Sequence, residues 1–101
     1  MSGTDGVFVT LELKLKPGQM ADFAKALPSV LDETRQFEGF IDIAAYRHES
    51  DPDRLVLAER WQSAEAYHAY IAWRVSTGFM ESLAEMLAAP PTVEIWPERV
   101  A

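Results

Sequence analysis

Tyr70 and Arg74 stand one helical turn apart in the run Tyr70-Ile-Ala-Trp73-Arg74, so in a helix the phenol and the guanidinium share a face. A guanidinium stays charged at any working pH and donates two parallel hydrogen bonds, which suits it to holding an oxyanion. Its ordinary alternative is an ion pair with Glu81 or another carboxylate at the surface. Tyr70 either donates to a bound molecule or is a core tyrosine with its hydroxyl at the rim. Glu59 and Trp61 fall on one side of an extended chain by period-two spacing. If that side is buried, the Glu59 charge needs a partner, and Arg74 or Arg47 is the expected one. His48 and His68 are the only side chains that ordinarily titrate near neutrality, which makes each a formal proton carrier. Counting residues puts His68 off the Tyr70–Arg74 face, so His48 is the histidine retained. With no cysteine beside them, two histidines this far apart form no recognisable metal site. Neither a glycine-rich phosphate loop nor a nucleophile elbow is present, so no cofactor and no metal are expected.

The chain that must position these groups has 101 residues, enough for one compact domain. Hydrophobic residues make up 49% and charged residues 25%, the mix of a folded globular chain and not of a disordered tail. Nine Lys and Arg against 16 Asp and Glu leave a net charge of -7, which argues against nucleic acid and anionic membranes as partners. The absence of cysteine removes disulfides, zinc–thiolate sites, iron–sulfur clusters and thiol nucleophiles, and fits a reducing compartment. No export signal is visible at Met1–Gly6, and no apolar run approaches the roughly 18 residues of a membrane span, so the cytoplasm is the expected location.

Apolar residues alternate through Val7, Val9, Leu11, Leu13 and Leu15, which predicts a strand with one buried face ending at Pro17-Gly18. Met20, Phe23, Ala24, Leu27, Val30, Leu31 and Thr34 then recur at helical spacing, predicting a helix to about Phe37 with a kink at Pro28. A second strand is expected over Phe40–His48, a turn at Glu49–Asp53 and a returning strand over Arg54–Gln62. Ser63 caps a helix over Ala64–Trp73, Gly78 interrupts it, and Phe79, Leu83, Met86 and Leu87 resume a helical face that stops at Pro90-Pro91. Thr92–Trp96 is a last short strand. The order βαββαβ is the α+β ferredoxin-like arrangement, a four-stranded antiparallel sheet with helices on one face. Phe8, Ala44, Tyr46, Val56, Ala58 and Trp96 would then leave the other face apolar, so a homodimer packing two sheets face to face is expected. Met1–Asp5 is expected as a flexible tail before a single domain over residues 6–101.

Lys16-Pro17-Gly18, Thr34-Arg35 with Glu38-Gly39-Phe40, and above all Asp53–Tyr67 (DRLVLAERWQSAEAY) resemble, in order and spacing, the antibiotic biosynthesis monooxygenase domain family. Members of that family are small dimeric α/β-barrel proteins, and the resemblance covers nearly the whole chain. It implies oxidation of a small quinol or polycyclic aromatic by dioxygen without metal or flavin. Dioxygen is a triplet and reacts readily only with a substrate made electron-rich, usually by losing a proton, so the pocket must be dry, stabilise an anion and offer a base. On this resemblance the catalytic residues are Arg74, Tyr70 and His48, and the substrate contacts are Trp61, Phe23, Leu27, Tyr46, Trp73 and Glu59. Trp61 is placed between sheet and helices, where it is also an ordinary core residue. A helix bent at Pro28 leaves room beside Phe23 and Leu27 for the substrate, or is merely tolerated by its packing.

The chain departs from the family pattern at the helix after Trp61, where Tyr70 and Val75 stand in place of two usual histidines. Relatives that degrade haem use an Asn in the first strand and the helical His, and Leu11 and Tyr70 stand there, which argues against haem. The missing histidines are also the sequence's best support for a second reading, a dimeric ligand-binding or accessory protein without turnover. A third is an isomerase of a small oxygenated metabolite, because the fold alone separates none of these.

Overall fold

Alternating apolar residues in Val7–Lys14 make β1, and its partners are found by hydrophobic register on both sides. The computed structural model describes residues 6–101; the tail expected at Met1–Asp5 lies outside the described residues. Among these residues the order is β1, α1 (Met20–Arg35), β2 (Phe40–Arg47), β3 (Arg54–Trp61), α2 (Ala64–Ser76), α3 (Phe79–Met86) and β4 (Thr92–Trp96). The strands form one antiparallel sheet in the order β2-β3-β1-β4, the ferredoxin-like topology. β1 pairs Val9 with Glu59, Leu11 with Leu57 and Leu13 with Leu55, so these six side chains share the face that carries the helices.

Local chemistry sets most boundaries. The Ser63 hydroxyl accepts from the Ala66 amide at 3.1 Å and caps α2. Gly78, at φ 81°, divides α2 from α3 at the expected interruption. Gly39 joins α1 to β2 at φ 88°, and a Cβ there would lie 2.5 Å from the Ala66 side chain, so only glycine fits. α1 ends at Arg35, two residues earlier than its apolar spacing predicts, because Phe37 leaves the helix to meet the aromatic cluster described below. β1 ends at Lys14, yet Leu15 still bridges Leu87 and is fully buried.

Two apolar clusters lie between sheet and helices. One gathers Leu13, Leu15, Leu55 and Leu57 with Phe23, Leu83 and Leu87. The other gathers Val7, Val9, Trp61, Tyr67 and Tyr70. On β3 the residue between them is Glu59, which faces the helices like Leu57 before it and Trp61 after it. The opposite face carries Phe8, Ala44, Val56 and Ala58, with Tyr46 60% and Trp96 53% exposed. No helix of the described residues is long and apolar enough to cross a membrane.

Candidate functional site

Glu59 is 3% exposed, and among the described residues no cation reaches it. The ion pair expected with Arg74 or Arg47 is not formed. Its one protein hydrogen bond comes from the Trp61 indole, whose Nε1 donates to Oε1 at 2.9 Å. Burial pushes the Glu59 pKa up, and the indole bond opposes that shift only in part. The same burial, with the Glu59 charge nearby, raises the Tyr67 phenol well above its ordinary range. Glu59 is therefore a carboxyl group held in apolar surroundings by one fixed donor, the setting that brings an acid toward neutrality as a proton acceptor.

Arg74 is as deeply buried, 2% exposed, and its donors are directed at the protein. Nε donates to the Tyr70 hydroxyl at 2.9 Å and Nη1 to Glu33 Oε1 at 2.8 Å. Nη2 donates to the Val30 carbonyl at 3.0 Å and to Thr34 Oγ1 at 3.2 Å. The cation also lies over the Phe79 ring at 4.5 Å and the Trp73 ring at 4.7 Å. Its carboxylate partner is thus Glu33 on α1, and neither Glu81 nor Glu59. The Tyr70 hydroxyl lies 2.8 Å from Thr34 Oγ1, which itself donates to the Val30 carbonyl at 3.1 Å. With the single Thr34 proton so placed, the Tyr70 proton goes to Thr34, and Arg74, Tyr70 and Thr34 form a closed network tying α2 to α1.

The other expected site residues divide by position. Trp61 is fully buried in an aromatic cluster, 5.0 Å from the Tyr70 ring and 5.4 Å from Phe40 by centroids, and its polar atom serves Glu59. Trp73 packs on Phe37 at 5.7 Å and beneath Arg74. The His48 Nδ1 accepts from the Ser50 and Asp51 amides at 3.2 Å each, so this exposed ring closes the hairpin turn. It pairs with Arg54, five residues along β3 from Glu59, which is about 17 Å at strand rise. Tyr46 pairs with Val56 and so turns its ring to the outer face.

Phe23 and Leu27 line three spaces along α1. A small cavity of about 50 Å³ reaches Glu59, Tyr70 and Thr34 and is otherwise walled by residues such as Ile43, Leu57 and Leu83. A groove of about 100 Å³ lies between α1 and α3. On the other side of α1, against β2, a cleft of about 390 Å³ runs beside Ala24, Pro28, Ala45 and Arg47. The helix–sheet interface therefore holds open space around Pro28. Phe23, Leu27 and Leu31 form the wall between the cleft and the Glu59 cavity. Among the described residues no group of three or more His, Asp and Glu side chains is placed to hold a metal.

Sequence spacing pairs Glu59 with Trp61 and Tyr70 with Arg74, but it misses Glu33, Thr34 and Tyr67. Thr34 carries a signal in hindsight, a polar residue on the apolar face of α1. Glu33 carries none, because its partner lies 41 residues away.

The ferredoxin-like sheet that carries this site agrees with the comparisons. The family of antibiotic biosynthesis monooxygenases matches residues 6–86, and the chain belongs to it. A conserved protein from Methanosarcina mazei Go1 has the same fold at 22% identity and TM-score 0.84, over 96% of each chain. So does the monooxygenase from the gene ActVA-Orf6 of Streptomyces coelicolor, solved with the ligand Nanaomycin D, at 22% identity and TM-score 0.77, over 95% of this chain and 89% of that one. SnoaB, a cofactor-independent oxygenase from Streptomyces nogalater, is similar at 14% identity and TM-score 0.81, over 97% of each chain. At these identities the likeness is one of fold. No curated protein matches the chain.

Proposed function

We propose that this protein is a cofactor-independent monooxygenase that oxidises a small quinol or related electron-rich aromatic with dioxygen. The observation that carries the reading is Glu59, a buried carboxyl with a raised pKa, no cation partner and an apolar cavity in front of it. Its carboxylate takes a proton from the bound substrate. The resulting anion is left in a dry site, where it passes an electron to dioxygen more readily than its neutral parent. For a quinol, one oxygen atom enters a ring C–H bond as a hydroxyl, and the two quinol O–H hydrogens leave with the second oxygen atom as water, giving a hydroxyquinone. The substrate supplies all the electrons, so no external reductant is needed. Family membership and the likeness to named oxygenases support the same class.

Within this proposal Arg74 and Tyr70 are positioning residues, because their hydrogen bonds fix α2 against α1 around the cavity. His48 stays outside the chemistry. A second copy covers the outer sheet face, burying Phe8, Tyr46 and Trp96, and the dimer acts in the cytoplasm. The reading is tested by oxygen uptake with a panel of hydroquinones and anthrones. Uptake is expected with at least one of them, reduced by about a hundredfold or more in Glu59→Gln. A panel with no uptake, or a Glu59→Gln enzyme as fast as the natural one, overturns it. One observation favours the non-catalytic reading. The space beside Glu59, about 50 Å³, is far below the roughly 300 Å³ at which small-molecule sites begin. Tight binding of an aromatic without oxygen uptake would decide for that role.

A further inference from the structure

We infer that the cleft between α1 and β2 is a binding site for a small aromatic carboxylate, with the acid on Arg47 and the ring against Phe23 and Leu27. The cleft measures about 390 Å³, within the roughly 300–1,000 Å³ of small-molecule sites. Its helix wall is a stripe one turn apart, Met20, Ala24, Pro28, Leu31 and Arg35, about 22 Å long at helical rise. This wall is apolar except at the end where Arg35 already pairs with Asp32 at 2.9 Å.

Arg47 supplies the polar anchor. It pairs with Leu55 across the sheet, so its side chain leaves the strand on the helix face, beside Ala45 at the cleft. Among the described residues it makes no ion pair, in a chain with 16 acidic side chains available and a net charge of -7. A planar fork at the mouth of an apolar cleft matches a carboxylate attached to an apolar body. Pro28 adds a second polar feature. It has no N–H, so the Ala24 carbonyl lacks its usual helical donor, and both residues line the cleft. A ring hydroxyl has an acceptor there.

The aromatic nature of the ligand rests on the proposed oxidation, whereas the acid rests on Arg47 alone. Titration calorimetry with 2-naphthoate, 2-naphthol and decanoate separates them. The natural protein is expected to bind 2-naphthoate at least about tenfold more tightly than 2-naphthol. In Arg47→Gln that preference falls to within about twofold, with 2-naphthol binding unchanged. Ala24→Trp, a substitution at an exposed cleft position, weakens both by about tenfold or more. Equal affinities in the natural protein, or a preference that survives Arg47→Gln, overturns the site. Decanoate binding as tightly as 2-naphthoate overturns its aromatic part. Oxygen uptake is read separately. Naphthoate binding that depends on Arg47 without any uptake sustains the cleft and sinks the oxygenase. Uptake of hydroquinones by a protein whose preference for 2-naphthoate survives Arg47→Gln does the reverse.

Discussion

Glu59 is the residue whose environment departs furthest from its chemistry, and stability should report it. Below the ordinary carboxylate range both the folded and the unfolded chain keep it protonated. As pH rises from that range toward its raised folded pKa, the unfolded chain releases the proton while the fold retains it, so stability falls across the window. Glu59→Gln should remove this slope and raise the urea midpoint at neutral pH, measured between about pH 4 and about pH 8. Asp51, lowered by its bond to Lys14, contributes in the opposite sense, but it is present in both proteins and cancels in the comparison. A midpoint that falls at neutral pH in the variant would mean that the charge is compensated. Arg74→Ala should lower stability by about 2–4 kcal/mol, because it removes the buried bonds to Tyr70, Glu33, Val30 and Thr34 and leaves a void beside Trp73 and Phe79. Arg74→Lys should recover only part of that, since an ammonium cannot reproduce the fork. Chemical denaturation of the two variants checks it. The Tyr70–Arg74 pairing was legible because helical spacing is local. The partner of Arg74 was not, because Glu33, Val30 and Thr34 reach it only when α1 packs on α2.

Period and turn chemistry placed the strands, helices and hairpin with few errors, because each depends on neighbouring residues. What they misplaced depends on tertiary packing. α1 stops before Phe37 because that ring is drawn to within 5.5 Å of Tyr70. Gly78 separates the two helices where the sequence expects an interruption, but α2 runs on to Ser76, past the Trp73 its composition predicts. Gly39 belongs to this scale too, since its φ of 88° and the approach of Ala66 fix how β2 leaves α1. Gly39→Ala should therefore destabilise the protein by about 1–3 kcal/mol. Adding Ala66→Gly should restore part of the loss by relieving the contact but not the backbone strain. A thermal midpoint for the double variant no higher than that of Gly39→Ala would show that the Ala66 approach contributes nothing. Pro28 lies within a continuous α1, and the open spaces around Phe23 and Leu27 flank it on both sides.

For the whole molecule, the sheet presents a helix-covered face and an outer face on which Phe8, Tyr46, Val56 and Trp96 stand among charged residues such as Glu12 and Arg60. Alternation along the strands made both faces readable in the sequence, whereas the size of the spaces beneath the helices follows from packing and was not. Light scattering at micromolar concentration should give twice the chain mass, and Tyr46→Glu with Trp96→Glu should shift it toward the monomer. A monomeric mass for the natural protein would contradict the proposed face-to-face assembly. The central claim concerns Glu59, and the pH dependence of oxygen uptake on the most responsive hydroquinone tests it most directly. The natural enzyme should gain rate as pH rises through one ionisation above the ordinary carboxylate range, and Glu59→Gln should lack that ionisation and run slower by about a hundredfold or more. A Glu59→Gln enzyme that keeps both the rate and the ionisation would contradict the claim.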